Sequence, residues 1–285
     1  SFKNKMEYGN PNDPLLQQVL PNKEETNTNS AQFSKDPLNE KQFQIMPGVI
    51  HKYHGRILIL LNNACAIHCR YCFRQYFPYP QHKIQWPTLM AYLLKNPDIK
   101  EIIFSGGDPF LQSDQTIKQW LQQIDTLKQI TTIRWHTRIP IVLPERINPA
   151  FSTLINNTQK QVVVVIHCNH PNEIDDHVMH ACQTMRHKGT ILFNQAVLLK
   201  NINDTANIQA ALHSKLFQIG VLPYYLHCMD IVKGSQRYHI TLKEAQKIHQ
   251  SLQALLPGYC VPKLVQEIPG EKNKRWQNTY DEENA

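Results

Sequence analysis

Residues 56–74 read RILILLNNACAIHCRYCFR, a short apolar run followed at once by a loop with three cysteines. The run RILILLN is almost continuously apolar, as is typical of a strand buried on both faces of a parallel sheet. Cys65, Cys69 and Cys72 follow it with gaps of three and two residues. Because the loops after such strands carry the active sites of α/β barrels, this stretch predicts a reactive centre at a strand end.

Similar apolar, β-branched runs recur along the chain and alternate with helical patterns. The predicted strands are residues 56–62, 101–105, 132–137, 161–167, 190–198 and 221–228. The predicted helices are residues 87–96, 114–129, 149–157, 171–188, 205–219 and 241–256. This alternation predicts an α/β fold of parallel βα units, either an open doubly wound sheet or a barrel. Polar residues follow every strand end, and a barrel gathers these ends around one mouth, which favours a partial (βα)6 TIM-like barrel.

The pattern also divides the chain into three segments. Residues 1–48 are rich in Asn, Pro, Gln and Lys without periodicity, which predicts an N-terminal arm lying on a domain. Residues 49–240 are expected to form the barrel core. Residues 241–285 are expected to form a C-terminal helix and a following segment.

Composition is that of an ordinary globular protein, with 41% hydrophobic and 19% charged residues. No apolar run approaches the ~20 residues that a membrane span needs, and no signal peptide is recognisable. The net charge of +7 permits an anionic partner, but the basic residues are scattered, which favours a solvated surface or anionic cofactors over nucleic acid. Seven cysteines, three of them clustered, predict a reducing cytoplasm rather than a disulfide scaffold.

The three clustered cysteines admit several kinds of site. A zinc knuckle would need a fourth ligand such as His68 or His82. A redox pair would need only Cys69 and Cys72. An iron–sulfur cluster normally takes four thiolates, and with three thiolates one iron keeps an open position where a small molecule can bind.

The end of the second predicted strand reads Ser105-Gly106-Gly107-Asp108-Pro109. Glycine pairs and Asp-Pro often mark a simple turn. Glycines also let a backbone approach a ligand closely because they lack a Cβ atom. Directly after a buried strand, the second interpretation is favoured.

The cysteine spacing CxxxCxxC resembles the signature of the radical S-adenosylmethionine superfamily. The resemblance extends along the chain from about residue 6 to the lysine 2,3-aminomutases, and within them to the branch that acts in modification of elongation factor P. The segments that carry it are HKYHGR (51–56), CRYCFR (69–74), FSGGDP (104–109), RIPIVLPERI (138–147), NHPNEID (169–175), NQAVLLKNIND (194–204), PYYLHCMD (223–230) and GYCVPKLVQEIPGEKNK (258–274).

The resemblance implies a role for each matching residue. The [4Fe–4S] cluster would be held by Cys65, Cys69 and Cys72. S-adenosylmethionine would contact Ser105, Gly106, Gly107, Asp108, His167 and Gln195. Pyridoxal 5′-phosphate would form its Schiff base with Lys274, with Lys272 as the competitor by position, and its phosphate would contact Lys52, Tyr53 and Arg56. The substrate would be held by Arg74 at its carboxylate and by Asp230 and Glu267 at its amine, where the free-lysine enzymes usually carry aspartate in place of Glu267.

The activity that the resemblance implies is 2,3-amino migration on L-lysine to give β-lysine, the R isomer, for elongation factor P and its ligase. An external electron donor such as a flavodoxin or ferredoxin would reduce the cluster. Because no cysteine follows Cys260, no C-terminal zinc site is expected, and the assembly is predicted to be a monomer or dimer. The alternatives are an aminomutase for glutamate or arginine and, from another class, a basic zinc-binding nucleic-acid module.

Overall fold

The computed structural model describes residues 2–26, 32–79 and 84–277, so that His82 lies outside the described residues. Its centre is one sheet of ten strands that follow one another in chain order. The strands are β1 (Gln44–Met46), β2 (Val49–Tyr53), β3 (Arg56–Asn62), β4 (Glu101–Gly106), β5 (Thr132–Thr137), β6 (Gln161–Ile166), β7 (Ile191–Leu198), β8 (Leu222–Cys228), β9 (Lys263–Gln266) and β10 (Arg275–Trp276).

The strands β3 to β9 are all parallel, and the antiparallel pairs β1–β2, β2–β3 and β9–β10 stand at the two ends of the sheet. The sheet does not close, so the predicted partial barrel is confirmed. The six predicted strands correspond to β3 to β8. Strand β9 is a seventh parallel strand that the sequence pattern did not predict, and it lies in the segment expected to follow the C-terminal helix.

The first helix precedes the sheet along the chain, and the other helices connect successive parallel strands. The helices are α1 (Pro14–Gln17), α2 (Trp86–Lys95), α3 (Asp114–Asp125), α4 (Ile139–Val142), α5 (Pro149–Ile155), α6 (Asp176–Arg186), α7 (Ala206–Gln218) and α8 (Leu242–Leu255). Local chemistry fixes their ends. The Ser113 side chain accepts a hydrogen bond from Thr116 N at the start of α3, and Thr241 with Glu244 forms a capping box at the start of α8.

The core lies between the sheet and its helices. Along β5, Ile133, Trp135 and Thr137 are buried against this core, and Trp135 stacks on Phe104 of β4 with ring centroids 4.3 Å apart. Because side chains alternate along a strand, Arg134 takes the other face, where it binds Glu101 and lies 3.4 Å from the Tyr224 hydroxyl of β8. That second face is the polar barrel interior.

The first 48 residues are more closely tied to the barrel than an arm lying on its surface would be. Strand β1 belongs to the sheet, and residues from the preceding segment reach buried positions, including Gln18 and Glu40. The division into segments at residues 48 and 240 stays a prediction. Among the described residues, no helix is long and apolar enough to cross a membrane.

Candidate active site

The cysteine loop begins at the end of β3 and is anchored to the end of β4. Gly107 N donates to Asn62 O at 2.6 Å, and Asp108 N donates to Ala64 O at 2.8 Å. A Cβ atom on Gly106 would lie 2.3 Å from Asn62 O, and one on Gly107 would lie 2.2 Å from Ala64 O. The two glycines therefore let the start of the cysteine loop pack directly on β4.

Asp108 is the acidic residue in the stretch 105–109. It is buried, and its carboxylate accepts a hydrogen bond from the backbone at the end of β5. Its carboxylate accepts hydrogen bonds from Thr137 Oγ1 at 2.6 Å, from Arg138 N at 2.7 Å and from Phe110 N at 3.1 Å. Burial raises the pKa of Asp108 to about 6, although these donors oppose the shift. The predicted contact of residues 105–108 with S-adenosylmethionine stays a prediction, and the observed contacts connect β3, β4 and β5 at the barrel mouth.

The three clustered cysteines are free thiols, with Cys65 exposed and the other two partly exposed. Although the residue is exposed, desolvation of its sulfur by the surrounding atoms raises the pKa of Cys65 to about 12, together with the Asp108 carboxylate and the neighbouring thiols. Burial and Cys69 likewise raise the pKa of Cys72 to about 11. Ionisation of Cys65 and Cys72 is thus disfavoured without a metal, and the positive charge of bound iron would favour it, so the donor set fits a [4Fe–4S] cluster with one open iron position.

Arg74, at the end of the loop, is buried and already has partners. Its Nε and Nη2 donate to the two carboxylate oxygens of Glu40 at 2.8 and 2.7 Å, and its Nη1 donates to Ser105 Oγ at 3.0 Å. Burial alone would lower the pKa of Arg74, but Glu40 more than offsets this and leaves the pKa raised. Glu40 thus shows that the pocket around Arg74 accommodates a carboxylate with two-point geometry.

A second group of charges lies across the mouth, around Glu267 just after β9. Lys52 Nζ donates to Glu267 Oε1 at 2.7 Å, Tyr53 Oη donates to the same oxygen at 2.9 Å, and Lys274 pairs with Oε2. Burial would raise the pKa of Glu267, but the two lysines lower it well below its usual range. Lys272, the competitor for the Schiff base, is exposed, whereas Lys274 is half-buried beside Glu267.

Asp230 follows β8 and lies close to this group. Burial first, and then the Glu267 carboxylate, raise the pKa of Asp230 to about 7, while Lys274 and Lys52 oppose the shift. Asp230 also acts on the cysteine loop, since its charge raises the pKa of Cys72 while that of Arg74 lowers it. Arg74, the candidate partner of the substrate carboxylate, and Asp230, the candidate partner of the substrate amine, therefore both lie near Cys72.

His167 directly follows β6, and Gln195 lies on β7. The two side chains contact each other. Gln195 Nε2 lies 2.6 Å from His167 Nε2, so the amide donates to a neutral imidazole. Burial, Arg138 and Arg74 lower the pKa of His167 to about 3, which keeps the ring neutral. Arg56, the remaining candidate for the cofactor phosphate, lies over the Tyr53 ring with 4.8 Å to its centroid.

Sequence reasoning missed three residues that the structure brings to this site. Glu40 lies in a polar segment without periodicity, and its burial beside Arg74 depends on tertiary structure alone. Arg138 follows β5 and donates to Cys69 Sγ at 2.8 Å. His227 alternates along β8 to face the interior, where burial and Lys274 lower its pKa. The only sequence signal for the last two was their position at strand ends.

The comparisons with known proteins agree with this geometry. A family model described as a 4Fe-4S single cluster domain matches residues 54–139, which contain the cysteine loop. A solved radical SAM methyltransferase from Sphaerobacter thermophilus has a similar fold, with a TM-score of 0.54 and 14% identity over 76% of this chain and 68% of that one. The partial barrel therefore resembles the fold of that radical SAM enzyme, and the three-cysteine loop lies within the matched cluster domain.

The curated relatives identify the family to which the chain belongs. The L-lysine 2,3-aminomutase of Haemophilus influenzae is 44% identical over 96% of this chain and 81% of its own length. That of Escherichia coli is 43% identical over 96% of this chain and 80% of its own length. That of Clostridium subterminale is 34% identical over 93% of this chain and 64% of its own length. The chain belongs to the L-lysine 2,3-aminomutase family, which are isomerases that need a [4Fe–4S] cluster, S-adenosylmethionine and pyridoxal 5′-phosphate.

Proposed function

We propose that this chain converts L-lysine to β-lysine by moving the amino group from C2 to C3. The observation that carries the proposal is the presence of the Arg74 guanidinium and the Asp230 carboxyl group at one barrel mouth. Arg74 and Asp230 both act on Cys72, one lowering and one raising its pKa. A substrate with a carboxylate at one end and an ammonium at the other fits between such partners and is held next to the proposed cluster.

Each end of the substrate has a suitable partner. Glu40 holds Nε and Nη2 of the Arg74 guanidinium, so the substrate carboxylate would bind on the side of Nη1, which donates to Ser105 Oγ at 3.0 Å. The Asp230 carboxyl group, whose pKa burial and Glu267 raise to about 7, would ionise beside the ε-ammonium of lysine. A glutamate substrate would instead bring a carboxylate towards Asp230, Glu267 and Glu40, which like-charge repulsion disfavours.

Lys274 is the residue we propose for the covalent link to pyridoxal 5′-phosphate. Its ammonium is held in place by Glu267, and it must lose its proton before the nitrogen can react with a carbonyl. We assign the cofactor phosphate to Arg56, Lys52 and Tyr53, which lie on β2 and the start of β3 beside Glu267.

When bound, the cluster and S-adenosylmethionine supply a carbon radical, and pyridoxal 5′-phosphate supplies a π-system through which the amine moves. The protein residues orient the reacting groups. Gly106 and Gly107 fix the cysteine loop, which brings Arg74 beside Cys72. The Gln195–His167 pair presents a neutral polar surface, consistent with our proposal that both residues contact S-adenosylmethionine. Deep burial of Arg74 excludes water from the carboxylate end.

The finer features of the function are also proposals. We infer that the product is the R isomer and that it serves the modification of elongation factor P, because the residues matching that branch run through the whole chain. An external flavodoxin-like or ferredoxin-like protein is the electron donor we propose. We further propose a cytoplasmic monomer or dimer.

An anaerobic assay with reductant and S-adenosylmethionine tests the function directly. We expect L-lysine to give β-lysine and 5′-deoxyadenosine, and glutamate and arginine to give neither. Asp230→Asn should reduce turnover of lysine at least tenfold, whereas Asp204→Asn, in an exposed turn, should leave it unchanged. Equal turnover of arginine and lysine would show that the enzyme is not specific for lysine. Unchanged turnover of lysine by Asp230→Asn would refute the role of Asp230 in binding the substrate amine.

The cofactor link has a separate spectroscopic test. Anaerobically purified protein with pyridoxal 5′-phosphate should show the visible absorbance of a lysine Schiff base, and Lys274→Ala should lose it. Lys272→Ala is the matched control, since this neighbouring lysine is exposed and should be dispensable. Loss of the absorbance in Lys272→Ala but not in Lys274→Ala would reverse the assignment.

A further inference from the structure

Arg138 forms a buried contact with the cysteine loop that no part of the proposed function uses. Its Nη1 donates to Cys69 Sγ at 2.8 Å and to the Tyr71 hydroxyl at 3.0 Å. Its Nη2 donates to Gln18 Oε1 at 2.7 Å and to Glu173 Oε2 at 2.9 Å. A buried guanidinium therefore points at the sulfur of a proposed cluster ligand.

The backbone of Arg138 is held in place independently of these contacts. Arg138 N donates to the buried Asp108 carboxylate at 2.7 Å, and Asp108 N donates in turn to Ala64 O in the cysteine loop. The end of β5 is thus tied to the same loop by two routes, one through backbone and one through the guanidinium. Because Arg138 is held at both its backbone and its side chain, the direction of its hydrogen bond to Cys69 is fixed in advance.

The partners of Arg138 are themselves fully engaged. Glu173 Oε1 accepts from Asn169 N and His170 N, both at 3.0 Å, so its carboxylate cannot turn away from the guanidinium. Asn169 Nδ2 donates to the Tyr71 hydroxyl at 2.6 Å and to Gln18 Oε1 at 3.1 Å. Since each buried polar group is held by the others, the network keeps one geometry.

We propose that Arg138 is a positioning residue that sets the reduction potential of the cluster through its charged hydrogen bond to the Cys69 sulfur. The inference rests on the proposed cluster site at Cys65, Cys69 and Cys72. When a low-potential donor transfers one electron, the cluster becomes more negative by one charge and no bond breaks. A cation and a hydrogen bond at a ligand sulfur stabilise that reduced form, which raises the potential. Glu173, behind the guanidinium, acts in the opposite direction.

The potential of two variants therefore shifts with opposite signs. Arg138→Lys keeps a positive charge but loses the planar fork that reaches Cys69, and about tenfold less cluster should be reduced at a fixed solution potential. For a one-electron couple, that change is ~59 mV towards more negative potential. Glu173→Gln removes a negative charge from the same network and should shift the potential upwards.

The measurement is a redox titration of the anaerobically reconstituted holoprotein, followed by the EPR signal of the reduced cluster. Arg146→Lys is the matched control, because this arginine lies after the same strand but pairs with Asp114 and packs on Phe151. Its potential should equal that of the wild type. The proposal is overturned if Arg138→Lys has the same potential as the control. It is also overturned if Arg138→Lys and Glu173→Gln shift the potential in the same direction.

A second measurement is made first on the wild-type protein. In wild-type protein carrying ¹⁵N-labelled arginine, pulsed EPR of the reduced cluster should detect coupling to a guanidinium nitrogen, and Arg74→Lys should retain it. Absence of this coupling in the wild type refutes the contact with Cys69. Wild-type protein without iron and sulfide would refute the cluster site as well, whereas a normal cluster without coupling would refute only the role of Arg138.

Discussion

Replacing Glu40 by glutamine should destabilise the protein strongly, because it leaves the buried Arg74 cation without its counter-charge. The two side chains are only 7% and 8% exposed and form two parallel hydrogen bonds. Removing one partner of a buried ion pair typically costs 3–5 kcal/mol. Glutamine keeps one acceptor oxygen, so we expect a loss near the lower limit, about 3 kcal/mol.

Thermal unfolding of the anaerobically purified protein measures this loss. For a chain of this size, 1 kcal/mol lowers Tm by about 2 °C, so Glu40→Gln should lower it by about 6 °C. Glu271→Gln is the matched control, since its partner Arg275 is 56% exposed and such surface pairs contribute about 0.5 kcal/mol. If both variants lowered Tm by the same small amount, Glu40 would not be the buried counter-ion of Arg74.

Two further predictions concern the cysteine loop and the substrate amine. Gly107→Ala should reduce the iron content of purified protein several-fold, because its Cβ would lie 2.2 Å from Ala64 O and displace the loop, whereas Gly258→Ala, with open space around it and no positive φ, should keep its iron. Lysine binding should tighten as pH rises through about 7, because Asp230 must ionise to pair with the ammonium and its pKa is raised to about 7. The KM for lysine should therefore fall by up to tenfold per unit below pH 7 and level off above it, and a flat profile in the wild type would contradict this role for Asp230.

Much of the barrel could be predicted because its strands carry their own signal. The continuous apolar runs of β3 and β6 are buried on both faces, and the capping residues Ser113 and Thr241 start helices where the sequence places them. Strand β9 was not predicted, since four residues, KLVQ, after a proline-rich turn form a strand only because β8 offers an open edge. Its membership of the sheet is decided by pairing rather than by propensity.

The candidate site likewise has one part that the sequence predicted and another part that it did not. Cys65, Cys69 and Cys72 are close in sequence, and their spacing indicated a reactive site, although it left a zinc knuckle, a redox pair and an iron–sulfur cluster open. The contacts of Glu40 with Arg74 and of Arg138 with Cys69 join residues 34 and 69 positions apart. No local pattern predicts such pairs, because the burial that makes a charge need a partner exists only after the barrel has formed.

The contact of Gln18 with Glu173 has a consequence for the protein during its synthesis. Gln18 leaves the ribosome before Glu173, which lies 155 positions later. At 5–20 residues per second, the N-terminal segment waits roughly 10 to 30 seconds for this partner. In the finished fold Gln18 O accepts from Arg70 N and its side chain meets Tyr71, so the segment covers the cysteine loop. The nascent chain therefore passes through an interval in which this loop is already made and not yet covered, and in which iron and sulfide have open access to it.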